Sequence, residues 1–108
     1  MNDFKLDNFS SKGKIALVTG ASYGIGYAIA SGLSKAGAKI VFNDINQELV
    51  DKGLAAYKAD GIEAKGYVCD VTDEDAVQAL VKRIEEEVGV IDILVNILTI
   101  LQNYTIIN

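Results

Sequence analysis

The stretch "KIALVTGASYGIG", Lys14 to Gly26, limits the fold more than any other part of the chain. A short apolar run ends abruptly at Gly20, and glycine returns at positions 24 and 26 as apolar residues resume at helical spacing. The uninterrupted run predicts a strand buried on both faces, the pattern of a parallel sheet with helices on either side. In "YGIGYAIASGLSKAGA" that follows, Ile25, Ile29, Leu33 and Ala36 fall three or four residues apart as one helical face, with Gly37 as the stop.

The same alternation then repeats. "KIVFND" predicts a second strand, and "NQELVDKGLAAYKADG" a second helix with Asn46 as its cap, acidic residues early and Gly61 at its end. "EAKGYVCDV" predicts a third strand. Thr72 is placed to cap "DEDAVQALVKRIEEEVG", where Val77, Leu80, Val81, Ile84 and Val88 form an apolar stripe opposite charged side chains, and "IDILVN" predicts a fourth strand. Connections of this length suit helical crossovers rather than hairpins. The expected fold class is therefore α/β, an incomplete doubly wound parallel sheet of about four strands and three helices.

With 108 residues, half of them apolar, the chain supports one modest core and hence one domain. A net charge of -5 and the absence of any Lys/Arg-rich run argue against nucleic acid or an anionic membrane surface as partners. Cys69 is the only cysteine, so no internal disulfide forms, and the start "MNDFKLDNFSSKGK" lacks the apolar core of a secretory signal. No apolar run approaches the roughly 20 residues needed to cross a bilayer. The expected location is the cytoplasm, and no metal site is read in a chain without histidine.

The glycine turn carries the chemistry. Gly20 permits a sharp turn, Gly24 lets backbone approach a ligand closely, and Gly26 lets the helix pack near the strand. Free N–H groups at that helix start, with the positive end of its dipole, favour a pyrophosphate, and Ser22 adds a hydroxyl donor. Asp44 ends the second strand 24 residues after Gly20, where its carboxylate accepts hydrogen bonds from ribose hydroxyls and repels a 2′-phosphate. Asp70 is expected at the end of the third strand, accepting from an adenine amino group while Val71 lies against the ring. Each acid also reads as an ordinary cap or turn residue; their convergence at strand ends on one sheet edge is what favours a dinucleotide. A methyltransferase using S-adenosylmethionine shares both acids, but its loop has tighter glycine spacing.

Together "TGASYGIG", "FND", "CDV" and "DILVN" resemble the cofactor half of the short-chain dehydrogenase/reductase family, from about Gly13 to Asn96. Within it, "FNDINQELVDKGLAAYKADGIEAKGYVCDVTDED" looks most like the bacterial gluconate 5-dehydrogenase group. The resemblance implies a Rossmann-type fold, a nicotinamide dinucleotide, and hydride exchange between a secondary alcohol and a ketone, with D-gluconate and 5-keto-D-gluconate as the substrate pair. It further implies a phosphate-binding turn of Gly20, Ser22, Tyr23, Gly24, Ile25 and Gly26, a ribose acid at Asp44, adenine contacts at Asp70 and Val71, and a ribose-side role for Asn96 in a motif that braces the sheet near Thr19. Tyr23 stands where users of NADP often have Arg or Lys, so NAD is expected over NADP.

After Asn96 the family continues Asn-Ala-Gly, whereas this chain reads "ILTILQNYTIIN", without charge or glycine. Residues 1–96 are thus expected to form a cofactor-binding half-domain and 97–108 an aberrant tail, as a frameshift would leave. The family's catalytic Ser, Tyr and Lys would fall past position 108, so the expectation is a truncated relative that binds the dinucleotide without catalysis, with a non-functional fragment that neither folds stably nor binds as the alternative. Its family-type tetramer is expected to fail, and an uncharged tail beside an open sheet edge favours aggregation.

Overall fold

The structure, a computed structural model, describes residues 12–96. The polar lead-in before Lys12 and the uncharged stretch 97–108 lie outside the described residues. Seven elements follow in strict alternation: β1 (Ile15–Thr19), α1 (Gly24–Lys35), β2 (Lys39–Asp44), α2 (Gln47–Ala59), β3 (Ala64–Val68), α3 (Glu74–Glu87) and β4 (Ile93–Asn96). All strand pairings are parallel and the order across the sheet is β3-β2-β1-β4. The α/β doubly wound class expected from the apolar rhythm is therefore the observed one.

Strand alternation divides the core in two. Ala16 and Val18 of β1, with Ile40 and Phe42 of β2, pack against Ala30 and Leu33 of α1 and Val50 and Tyr57 of α2. On the other face Ile15, Leu17, Val41 and Tyr67 meet Leu80 and Ile84 of α3. A strand between two helical layers must be apolar on both sides, and every residue of β1 is buried. Within the described residues β4 is less covered, with Leu94 63% exposed on the α3 face.

Local signals set the helix ends. Asn46 Oδ1 accepts from Leu49 N at 2.8 Å, so α2 has its expected cap. For α3 the cap is Asp73, accepting from Ala76 N at 3.2 Å, and not Thr72. The Thr72 hydroxyl is already committed, donating to Asp70 Oδ1 at 2.6 Å. On α1 the buried face is Gly26, Ala30 and Leu33, so Ile25, expected inside, stands 63% exposed. Gly26 faces inward against Gly20 and Ala21 just past β1, which leaves Ile25 on the outer side.

Two observations yield tests of this packing. At Gly66 an added Cβ would lie 2.7 Å from Val50 Cγ1 and 2.8 Å from Phe42 Cζ. Gly66→Ala is expected to destabilise by about 1–3 kcal/mol, read as a lower Tm in a calorimetric melt. On the other face Tyr67 donates to Glu87 Oε1 at 2.8 Å and Arg83 Nε to Glu87 Oε2 at 3.0 Å, with the guanidinium 5.0 Å above the Tyr67 ring. The Tyr67 hydrogen bond, then that from Arg83, hold the Glu87 carboxyl below its ordinary 4.5. Burial above all, then the bond to Glu87, pushes Tyr67 up to about 12. A depressed carboxyl stabilises the fold above pH 4.5 and loses that contribution as pH falls through the folded-state value. Glu87→Gln is therefore expected to flatten the drop in Tm below pH 4.5, and an unchanged acid profile would contradict this.

Candidate functional site

The parallel register brings Thr19 level with Asn43 on one side and Asn96 on the other. Gly20 N then donates to Asn43 O at 2.9 Å, which carries the ladder one residue beyond β1 and sets the turn beside Asp44. Gly20 and Gly24 have φ of +64° and +68°, and nothing lies within 4 Å of the Cβ that either would carry. Backbone conformation, not crowding, demands glycine at both. At Gly26 the reason differs: an added Cβ would meet the Gly20 carbonyl oxygen at 2.7 Å and Ala21 Cα at 2.9 Å. The helix approaches the strand end through that missing side chain.

The helix that this turn launches has no side-chain cap and no acidic residue in its first turn, while Tyr23 at the cap position is extended and 69% exposed. Its first N–H groups thus meet no side-chain acceptor of their own. Ser22 beneath them is 4% exposed, and its Oγ has no hydrogen-bond partner. An unpartnered buried hydroxyl is unfavourable by roughly 1–3 kcal/mol, which an incoming hydrogen-bonding group offsets.

Asp44 is half-buried at the tip of β2, on the α1/α2 face by alternation with Phe42. Its Oδ1 accepts from Ile45 N at 2.9 Å, and because Asn46 caps α2, Asp44 is not spent as that cap. Asp70 does not end β3, which stops at Val68; it is exposed, and its Oδ1 closes a turn by accepting from Thr72 N at 2.9 Å and Thr72 Oγ1 at 2.6 Å. Those bonds, the hydroxyl's first, hold its carboxyl below the ordinary range. Val71 lines a cleft of about 370 Å³ on the α3 face with Leu17, Thr19, Leu80, Leu94 and Asn96. There Thr19 Oγ1 donates to Asn96 Oδ1 at 3.2 Å, tying β4 to the strand that carries the glycine turn. Gly20, Ser22, Tyr23, Gly24, Ile25 and Gly26 thus form one turn, tied to β2 one residue before Asp44, and Val71 and Asn96 line a cleft on the α3 face.

The sequence reading missed one contributor. Tyr57 of α2 is fully buried, and its hydroxyl donates to the Ala21 carbonyl inside the turn at 2.6 Å. Its ring centroid lies 4.5 Å from that of Tyr27 and 5.1 Å from that of Phe42. Burial, then the neighbouring Tyr27, raises the Tyr57 hydroxyl far above the ordinary tyrosine value, so it stays a donor. Gly53, one turn earlier, lets α2 in so closely that a Cβ would stand 3.0 Å from Ser22 Cα. Val50, Gly53 and Tyr57 are legible as an inner helix face, but nothing in their spacing identifies Ala21 as the partner.

The arrangement has clear relatives. Residues 14–106 match the family model described as short chain dehydrogenase. A 2-dehydro-3-deoxy-D-gluconate 5-dehydrogenase of Formosa agariphila is 53% identical over 92 residues, covering 84% of this chain and 35% of that protein. A gluconate 5-dehydrogenase of Gluconobacter oxydans is 49% identical over 90 residues, 83% of this chain and 35% of that one. The crystal structure of a 2-keto-3-deoxy-D-gluconate dehydrogenase from Streptococcus agalactiae superposes with a TM-score of 0.79 at 66% identity, covering 82% of this chain and 34% of that chain. The chain spans about a third of the length of these relatives. With the family match running over most of its residues and the strand–turn–helix geometry in agreement, the chain belongs to the short-chain dehydrogenase family.

Proposed function

We propose that this chain is the dinucleotide-binding part of an oxidoreductase, and that its dinucleotide is NAD. The observation that carries the reading is the start of α1: a turn with two left-handed glycines, an uncapped helix end, and open space at Gly24. Backbone N–H groups and the helix dipole there suit a pyrophosphate, and the Ser22 hydroxyl supplies a further donor. In this reading Tyr23 and Ile25 flank the phosphates, Asp44 accepts from the adenosine ribose, and Asp70 and Val71 bound the adenine. Asn96 holds the ribose side through its bond to Thr19.

Asp44, with no cation next to it in sequence and with Tyr23 at the turn, supports NAD over NADP. Bound NAD supplies a hydride acceptor; the chain's own residues orient it and repel a 2′-phosphate. The names of the relatives support a sugar acid carrying a secondary alcohol or ketone, gluconate or a 2-dehydro-3-deoxy-gluconate among them, as the substrate class of the parent reaction. We assign binding to residues 12–96 and catalysis to none of them, and place the chain in the reducing cytoplasm, in keeping with its single free cysteine.

Titration of the purified chain with NADH, followed by nicotinamide fluorescence, tests this. Saturable binding stronger than that of NADPH is expected. Asp44→Ala is expected to weaken NADH about tenfold, the scale of hydrogen bonds to a charged group, and to narrow the gap to NADPH. Failure of the unaltered chain to bind either dinucleotide would remove the reading; equal affinities would remove the NAD assignment alone.

A further inference from the structure

We infer that Tyr57 is a positioning residue for the phosphate-binding turn, acting from α2 through a single peptide plane. The inference rests on the dinucleotide reading above. The Tyr57 hydroxyl meets the Ala21 carbonyl at 2.6 Å, inside the turn between Gly20 and Gly24. A trans peptide is rigid and planar, so fixing the direction of the Ala21 carbonyl fixes the Ser22 N–H in the opposite direction, away from α2. A carbonyl that accepts a hydrogen bond also makes the N–H of the same plane a better donor. The hydroxyl therefore aims and strengthens one of the donors that the turn presents.

Position as well as chemistry singles out this side chain. The Tyr57 ring touches Tyr27, the residue after Gly26 in α1, and Phe42, two residues before Asp44 in β2. Tyr57 thus touches the turn directly and packs on the helix and the strand that flank it. Gly53 brings the same helix face against Ser22 Cα. Tyr27 supplies an internal comparison: its hydroxyl lies within hydrogen-bond reach of the Ala56 carbonyl at 2.9 Å and of the Asp60 carboxylate, beside the Tyr57 ring, without touching the turn.

Tyr57→Phe and Tyr27→Phe in the full chain separate positioning from general stability, because each keeps its ring and loses one hydroxyl. NADH affinity, thermal melting and exchange of the Ser22 amide hydrogen are measured for both. Positioning predicts that Tyr57→Phe weakens NADH roughly three- to tenfold, the scale of one hydrogen bond, and speeds Ser22 amide exchange, while Tyr27→Phe lowers Tm and leaves both unchanged. Unchanged NADH affinity in Tyr57→Phe, or equal weakening in the two variants, would overturn the inference. If the unaltered chain fails to bind NADH, the dinucleotide reading falls. The Ser22 amide then decides whether Tyr57 holds the turn: faster exchange in Tyr57→Phe alone upholds that role, and unchanged exchange overturns it.

Discussion

The structure turns on the approach of α1 to the end of β1 at Gly26, where a single methyl group would strike the Gly20 carbonyl at 2.7 Å. That contact lets the helix begin directly above the strand it follows. Two left-handed glycines reverse the chain within five residues, so the N–H groups of the first helical turn emerge at the sheet edge instead of inside the core. Any side chain at position 26 would lift the helix off and misdirect them. The aromatic cluster of Tyr27, Tyr57 and Phe42 then packs α1 and α2 against β2 beside the turn.

Sheet order gives this turn its neighbours. The chain moves from β1 to β2 and β3 on one side and then crosses to β4 on the other, so the connections after β1 and β3 depart to opposite faces. A crevice opens at such a reversal, beyond the carboxyl ends of the strands. Asp44 ends β2 and Asn96 ends β4 at that carboxyl edge, and Thr19 links the central strand to Asn96. The register brings Thr19 level with Asn43 and Asn96, so the Thr19–Asn96 bond joins positions 77 residues apart.

Much of this was legible in the sequence because it depends on local constraints. Glycines 20, 24 and 26 serve needs of the backbone, which spacing exposes, and the Asn46 cap concerns residues within one turn. The misreadings came from competition and from tertiary contact. Thr72 and Asp73 both offer a capping oxygen, and only the claim of Asp70 on Thr72 leaves the cap to Asp73. Ile25 sits on an apolar helical period, yet the packing of Gly26 turns it outward. Tyr57 was invisible as a support of the turn because its partner, Ala21, lies 36 residues away and is a backbone atom, whose identity no side-chain pattern records.

The most direct test of a dinucleotide held by the first turn of α1 is a map of backbone amide resonances as NAD is added to the chain. The largest shifts are expected from Ser22 to Gly26 and at Ile45 beside Asp44, saturating together. Shifts confined to the cleft around Val71, Leu80 and Leu94, or none at all, would contradict that assignment.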